Sequence, residues 1–195
     1  MKSLKHLILG AGILAGGLMS AQSSDMTNML KVGLNTGIST GGNTAANLGV
    51  DLSYQNLITP GFGLGIATGY NQYFGKNRTI NGVNVENNDF GVIPVAALFR
   101  VYPKQTGFYF GADLGYGFIV GDDKVATSGN AAYNNEERPD GGFYIRPEIG
   151  YHNRDWNFFA QYNKTFTGDK GQIADQKYNA GAIGVGVAYN IPLGK

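Results

Sequence analysis

The chain has 195 residues with 15 basic and 14 acidic side chains, a formal charge of +1, and this near-neutral balance leaves no electrostatic footprint for a nucleic-acid partner. Cysteine is absent, which excludes disulfides, cysteine-based metal sites and thiol catalysis. Charged residues make up 15% of the chain against roughly 25% in an average soluble domain, and the 31 glycines are about twice the usual share of roughly 7%.

Lys2, Lys5 and His6 precede an apolar run from Leu7 to Met19, and small or polar residues follow at Ser20 to Ser24. This order is that of a secretory signal peptide over residues 1–21. Cleavage falls after Ala21 or, on the small-x-small pattern Ala21-Gln22-Ser23, after Ser23. The run is too short for a spanning helix, which needs roughly 20 apolar residues. Residues 22–195 are then a single domain.

In the first predicted strand Leu30, Val32, Leu34, Thr36 and Ile38 alternate with Lys31, Gly33, Asn35 and Gly37, and Gly41-Gly42-Asn43 supplies a turn. In the second, Leu48, Val50, Leu52 and Tyr54 alternate with Asn47, Gly49, Asp51, Ser53 and Gln55, closed by Thr59-Pro60-Gly61. The third sets Phe62, Leu64, Ile66, Thr68, Tyr70 and Phe74 against Gly63, Gly65, Ala67, Gly69, Asn71 and Tyr73. A polar stretch from Gly75 to Asn88 reads as a loop. The fourth strand runs from Phe90 to Tyr102, with Ile93, Val95, Ala97, Phe99 and Val101 on one face and Arg100 on the other.

The fifth strand, Gly107 to Gly121, shows the pattern most clearly. Phe108, Phe110, Ala112, Leu114, Tyr116, Phe118 and Val120 share one face; Tyr109, Gly111, Asp113, Gly115, Gly117 and Ile119 share the other. Asp122 to Asp140 reads as a long acidic or disordered loop. The sixth strand places Phe143, Ile145, Pro147, Ile149 and Tyr151 opposite Tyr144, Arg146, Glu148, Gly150 and His152. A two-residue turn at Asn153-Arg154 pairs 152 with 155 and 148 with 159, and leads into the seventh strand, with Trp156, Phe158, Ala160 and Tyr162 outward. After a polar loop from Gly168 to Lys177, the eighth carries Ile183, Val185, Val187 and Tyr189 against Ala182, Gly184, Gly186 and Ala188. Pro94 and Pro147 cannot donate ladder hydrogen bonds, so each predicts a bulge or a shortened strand.

Tight turns follow strands two, four and six, whereas three of the other four connections run long, so long and short ends separate in space. An even strand count with this asymmetry predicts an all-β fold: an eight-stranded antiparallel up-and-down transmembrane β-barrel, both termini at the short-turn end. A soluble, lipocalin-like barrel would turn the bulky face inward, where an eight-stranded lumen has no room for Phe, Tyr, Trp, Leu, Ile and Val from every strand. Turned outward, the face is an apolar band. Phe99, Phe108, Tyr151, Trp156 and Tyr189 then ring the short-turn end, and Tyr70, Phe74, Phe118, Phe143 and Phe166 ring the loop end.

The inward face collects Lys31, Asp51, Arg100, Asp113, Arg146 and Glu148, which must be paired or hydrated inside a barrel. Asp113 and Arg146 stand at similar heights on neighbouring strands, so a cross-strand contact within a lumen ionic network is expected. His152 is the sole histidine beyond the signal region and has no serine nearby, and Asp122, Asp123, Glu136 and Glu137 lack EF-hand spacing. No catalytic residue, cofactor or metal site is therefore assigned.

The repeated patterns Phe110-Gly111-Ala112-Asp113-Leu114-Gly115-Tyr116-Gly117 and Ala182-Ile183-Gly184-Val185-Gly186-Val187-Ala188-Tyr189 make the chain resemble the small eight-stranded outer-membrane barrels of the OmpA/OmpX kind. The resemblance implies a location in the bacterial outer membrane and contact with outer-membrane lipid and lipopolysaccharide. Insertion by the barrel-insertion machinery follows from the same resemblance, whereas the role is read from the residues: a monomeric structural scaffold that displays its loops, its lumen plugged by polar and ionic side chains, with a surface ligand as a further partner at the extracellular loops. The alternative role is a narrow porin-like channel or small-ligand carrier, encouraged by the inward glycines. The sequence ends Asn190-Ile191-Pro192-Leu193-Gly194-Lys195 without a terminal aromatic, which shifts the expected insertion signal inward, around Tyr189. No peptidoglycan-binding domain follows the eighth strand, so a cell-wall tether is not implied.

Overall fold

The computed structural model describes residues 26–130 and 133–194, so the signal-peptide assignment lies outside the described residues. Eleven strands form: β1 (Asn28–Ser39), β2 (Thr44–Thr59), β3 (Phe62–Gly75), β4 (Arg78–Ile80), β5 (Val83–Asn87), β6 (Phe90–Val101), β7 (Gly107–Gly121), β8 (Ala126–Ser128), β9 (Gly141–His152), β10 (Trp156–Phe166) and β11 (Ala180–Gly194). Eight of them close into an antiparallel barrel in the order β1-β11-β10-β9-β7-β6-β3-β2, while β4, β5 and β8 make a separate three-stranded sheet.

Exposure settles which way the faces point. Ile38, Ile66, Phe108 and Ile183 are 62–75% exposed, whereas Arg100 and Asp113 on the opposite face are 3% and 1% exposed. A water-soluble barrel has the reverse arrangement. The outward aromatics meet in pairs at both ends: Phe108 with Tyr151 and Trp156 with Tyr189 near the short turns, Phe143 with Phe166 near the loops.

The inward face is fuller than glycines and ions alone. Tyr73, Tyr109, Tyr144, Phe159 and Leu98 all point inward and are buried. Two of them sit over glycines on adjacent strands: a Cβ on Gly186 would lie 2.3 Å from Phe159 Cζ, and one on Gly150 would lie 2.6 Å from Tyr109 Cε1. Other inward glycines are covered by polar side chains, Gly49 by Asn71 and Gly63 by Gln55.

Several local expectations need correction. In the β9–β10 hairpin, 152 pairs with 157 and 148 with 161, so Arg154 and Asp155 span the turn in place of Asn153 and Arg154. The cause is the Asn153 side chain, whose Oδ1 accepts from the amides of Asp155 (2.9 Å) and Trp156 (2.8 Å) and fixes Asn153 as the residue before the turn. Because pairing moves by two residues, every side chain keeps its face. The prolines produce neither bulge nor truncation. At Pro94 the β3–β6 pairing skips from Thr68↔Val95 to Asn71↔Val92, and at Pro147 the β9–β10 pairing skips from Gln161↔Glu148 to Lys164↔Ile145, each without a change of register. The ladder on the far side of each proline, Pro94↔Gly117 and Pro147↔Ala112, is unbroken. One missing N–H costs each strand its bonds on a single side.

The long connections are structured as well. Asn81 and Gly82, with φ of 49° and 78°, form the two-residue turn between β4 and β5, a conformation that Asn-Gly adopts readily. β8, inside the segment read as an acidic loop, pairs with β5 through Val85↔Ser128 and Asn87↔Ala126. The segment after β10 folds over this sheet through Ile173 and Tyr178. Together they bury Ile80, Val85, Phe90, Val125, Ala126, Ile173 and Tyr178 above the barrel's loop end.

Candidate functional site: a lumen filled in layers

Strand parity carries Lys31 (β1), Asp51 (β2), Arg100 (β6), Asp113 (β7), and Arg146 and Glu148 (β9) into the lumen, each no more than 8% exposed. Five of them join. Asp113 and Arg146 are direct register partners, and the Arg146 Nη2 to Asp113 Oδ2 distance is 2.7 Å. Arg146 also reaches across the lumen to Asp51, Nη1 to Oδ1 at 2.6 Å, and the other Asp51 oxygen accepts from Asn35 at 2.9 Å. Arg100 sits one diagonal step from Asp113 and bonds its Oδ1 at 2.6 Å.

The contact from Arg100 to Glu148 skips a strand. Both residues pair with Gly111 on β7, and the absent side chain there lets Arg100 lie across the strand and meet Glu148, Nε to Oε1 at 2.8 Å. Two guanidiniums thus hold three carboxylates with planar, multidentate geometry, the arrangement in which buried ions offset their desolvation.

Lys31 stands apart. No carboxylate lies within ion-pair distance of it among the described residues; its Nζ donates to Tyr102 Oη at 2.8 Å, and Tyr102 donates in turn to Gln55 Oε1 at 2.9 Å. Toward the short turns, Tyr102, Tyr109 and Phe159 pack as a second buried apolar cluster. His152 lies in this layer, its Nε2 3.2 Å from the Lys104 carbonyl and its ring against Tyr102 and Tyr109.

Toward the loops an amide layer follows. Asn47 donates to Asn35 and Asn71, and Tyr73 donates to Asn163 at 2.5 Å. Above it lies the apolar cap, where the Tyr73 and Phe90 rings stack at 5.0 Å and Phe90 meets Tyr178 at 4.9 Å. Asn87 and Gln176 exchange hydrogen bonds within it. Of the four acidic loop residues, Glu136 accepts from the Gly171 amide and Glu137 pairs with Lys124 at 3.7 Å, and no three His, Asp or Glu side chains converge as a metal site among the described residues.

The cap is what the sequence reading missed. Its signal was present in Asn81-Gly82 between Thr79-Ile80 and Val83-Asn84-Val85, a short hairpin pattern inside a run otherwise rich in asparagine. β8 gave no comparable signal, because three residues are too few to show a period.

A closed eight-stranded barrel with an apolar outer band, aromatic ends and a packed polar interior defines the class: a small outer-membrane-type β-barrel. Within it, the chain is similar to the outer membrane protein OprG of Pseudomonas aeruginosa, with a TM-score of 0.56 and 11% identity over 89% of this chain and 100% of that one. Neisserial surface protein A (TM-score 0.48, 14% identity, 84% of this chain and 96% of that one) and Yersinia pestis Ail (0.48, 14%, 86% and 100%) also match. At these identities the likeness is one of fold. No protein-family model and no curated protein sequence matches the chain.

Proposed function

We propose that the protein resides in the bacterial outer membrane as a monomeric, non-catalytic barrel that is closed to diffusion and holds a folded cap above the outer leaflet. Outer-membrane lipid and lipopolysaccharide surround its band, and the barrel-insertion machinery delivers it. The observation that carries this reading is the ionic layer. The void beside Lys31, Arg100, Arg146 and Glu148 is about 20 Å³, little more than the 10–15 Å³ or so that one water needs. The cap supports display, since its apolar residues fix β4, β5 and β8 as a presented surface on which a ligand would bind.

The second reading, a narrow channel or small-ligand carrier, draws on the cavities of about 360 and 580 Å³ at the two ends. To join them, Arg100 and Arg146 would have to leave their carboxylates and the amide layer and apolar cap would have to part. Conductance in planar bilayers separates the two readings: a silent membrane over a range of voltages is expected, and stepwise openings that persist in a highly purified preparation would overturn the closed-scaffold reading.

A further inference from the structure

The cavity at the short-turn end is not part of the closed-lumen reading and has a chemistry of its own. It measures about 360 Å³ and is lined by Met26, Met29, Leu57 and Pro60 on its apolar side and by Lys31, Lys104, Arg154 and His152 among its polar groups, with no carboxylate in the lining among the described residues. Its depth ends at Lys31, the one lumen ion of the six that meets no carboxylate within ion-pair distance among the described residues. An ammonium that is 7% exposed and bonded only to a phenol is stabilised by any anion that reaches it. Lys104 and Arg154, both exposed at the rim, draw such an anion in.

We propose that this vestibule is a binding site for a small aliphatic carboxylate, its carboxylate on Lys31 and its tail against Met29 and Leu57. The size of the cavity suits this class, because at about 30 Å³ per water-sized group it holds roughly a dozen non-hydrogen atoms. That is room for a short-chain acid. The site is a blind one: the ionic layer lies directly beyond Lys31, so binding does not entail passage through the barrel.

The test uses the full barrel in phospholipid nanodiscs with ¹³C-methyl methionine. Met26 and Met29 both line the cavity, and Met1 and Met19 are the other two methionines in the sequence. Hexanoate should shift the Met26 and Met29 methyl resonances saturably, while hexanol, which keeps the tail, and acetate, which keeps the anion, should each bind at least tenfold more weakly. Lys31→Gln should reduce hexanoate affinity at least tenfold. The exposed double variant Lys104→Gln/Arg154→Gln should reduce it several-fold, and it decides the matter if Lys31→Gln fails to fold by gel mobility. Equal binding of hexanol and hexanoate, unmoved methionine methyls at millimolar hexanoate, or wild-type affinity in the charge variants would each overturn the site. A conducting lumen with an intact hexanoate response would refute the closed-scaffold reading and leave the vestibule standing.

Discussion

Arg146 is the hub of the ionic layer, and Arg146→Met tests how much that layer stabilises the barrel. The substitution removes the 2.6 Å contact to Asp51 and the 2.7 Å contact to Asp113 at once. Asp113 keeps Arg100, but Asp51 is left with the Asn35 amide as its remaining charge-stabilising contact. Breaking a buried ion pair by truncating one member costs about 3–5 kcal/mol, because the other charge stays desolvated and uncompensated. Urea unfolding in phospholipid vesicles, with the folded fraction read from migration of unboiled samples, should show a loss of that size. Adding Asp51→Asn should restore part of it, with a coupling of about 1–3 kcal/mol between the two sites. A single-variant loss under about 1 kcal/mol would refute the reasoning, since that is the worth of a hydrated, screened pair. Strict additivity in the double variant would refute it equally.

Gly186→Ala drives a methyl group into the Phe159 ring and should cost about 1–3 kcal/mol in the same urea assay, part of it recovered by Phe159→Leu. Val85→Asp buries an unpaired charge in the cap, where Val85 is fully buried; it should expose the segment between 122 and 140 to limited proteolysis while heat-modifiable mobility of the barrel persists. Tyr178 is buried in the cap, its hydroxyl has no hydrogen-bond partner among the described residues, and burial pushes its phenol well above the usual value near pH 10 or so. Its neutral form is favoured in the folded cap, so that contribution is intact below about pH 10 and is lost as pH rises further. Proteolysis of the cap should therefore increase above about pH 10 in the natural chain and less in Tyr178→Phe, which at neutral pH should leave cap stability unchanged or improved. An equal alkaline opening in both chains would refute it.

How much was legible depended on whether a signal was periodic. Alternation over ten or more residues in β1, β2, β3, β7 and β11 dictated strand, face and therefore barrel, because a period of two leaves no other way to separate Phe108 and Phe110 from Tyr109 and Asp113. It also placed all six ions inside. The same parity could not say which ion meets which, since Asp51 and Arg146 are joined across the lumen from strands 95 residues apart in sequence. Nor could it foresee that Gly111 is a saddle for Arg100, because a glycine carries no sign of what lies over it. In the cap, Ile80, Val125, Ile173 and Tyr178 are isolated apolar residues in polar runs, and only their convergence from three connections makes them a core. The β9–β10 turn was displaced by one residue because a single side-chain cap outweighed the count of turn-forming residues.

The two prolines divide the wall of the barrel into staves. β6, β7 and β9 are bonded to one another along unbroken ladders, and the interior gaps fall where this trio meets β3 on one flank and β10 on the other. The trio carries two arginines and two carboxylates, Arg100, Arg146, Asp113 and Glu148, so as a unit it is electrically neutral. Of the lumen ions, Asp51 and Lys31 come from the remaining wall, on the adjacent strands β2 and β1, and they too cancel, while Lys164 on β10 shares the outward parity of Trp156 and Phe166. Each stave brings a balanced set of lumen charges to the joint, so closing the cylinder encloses no net charge.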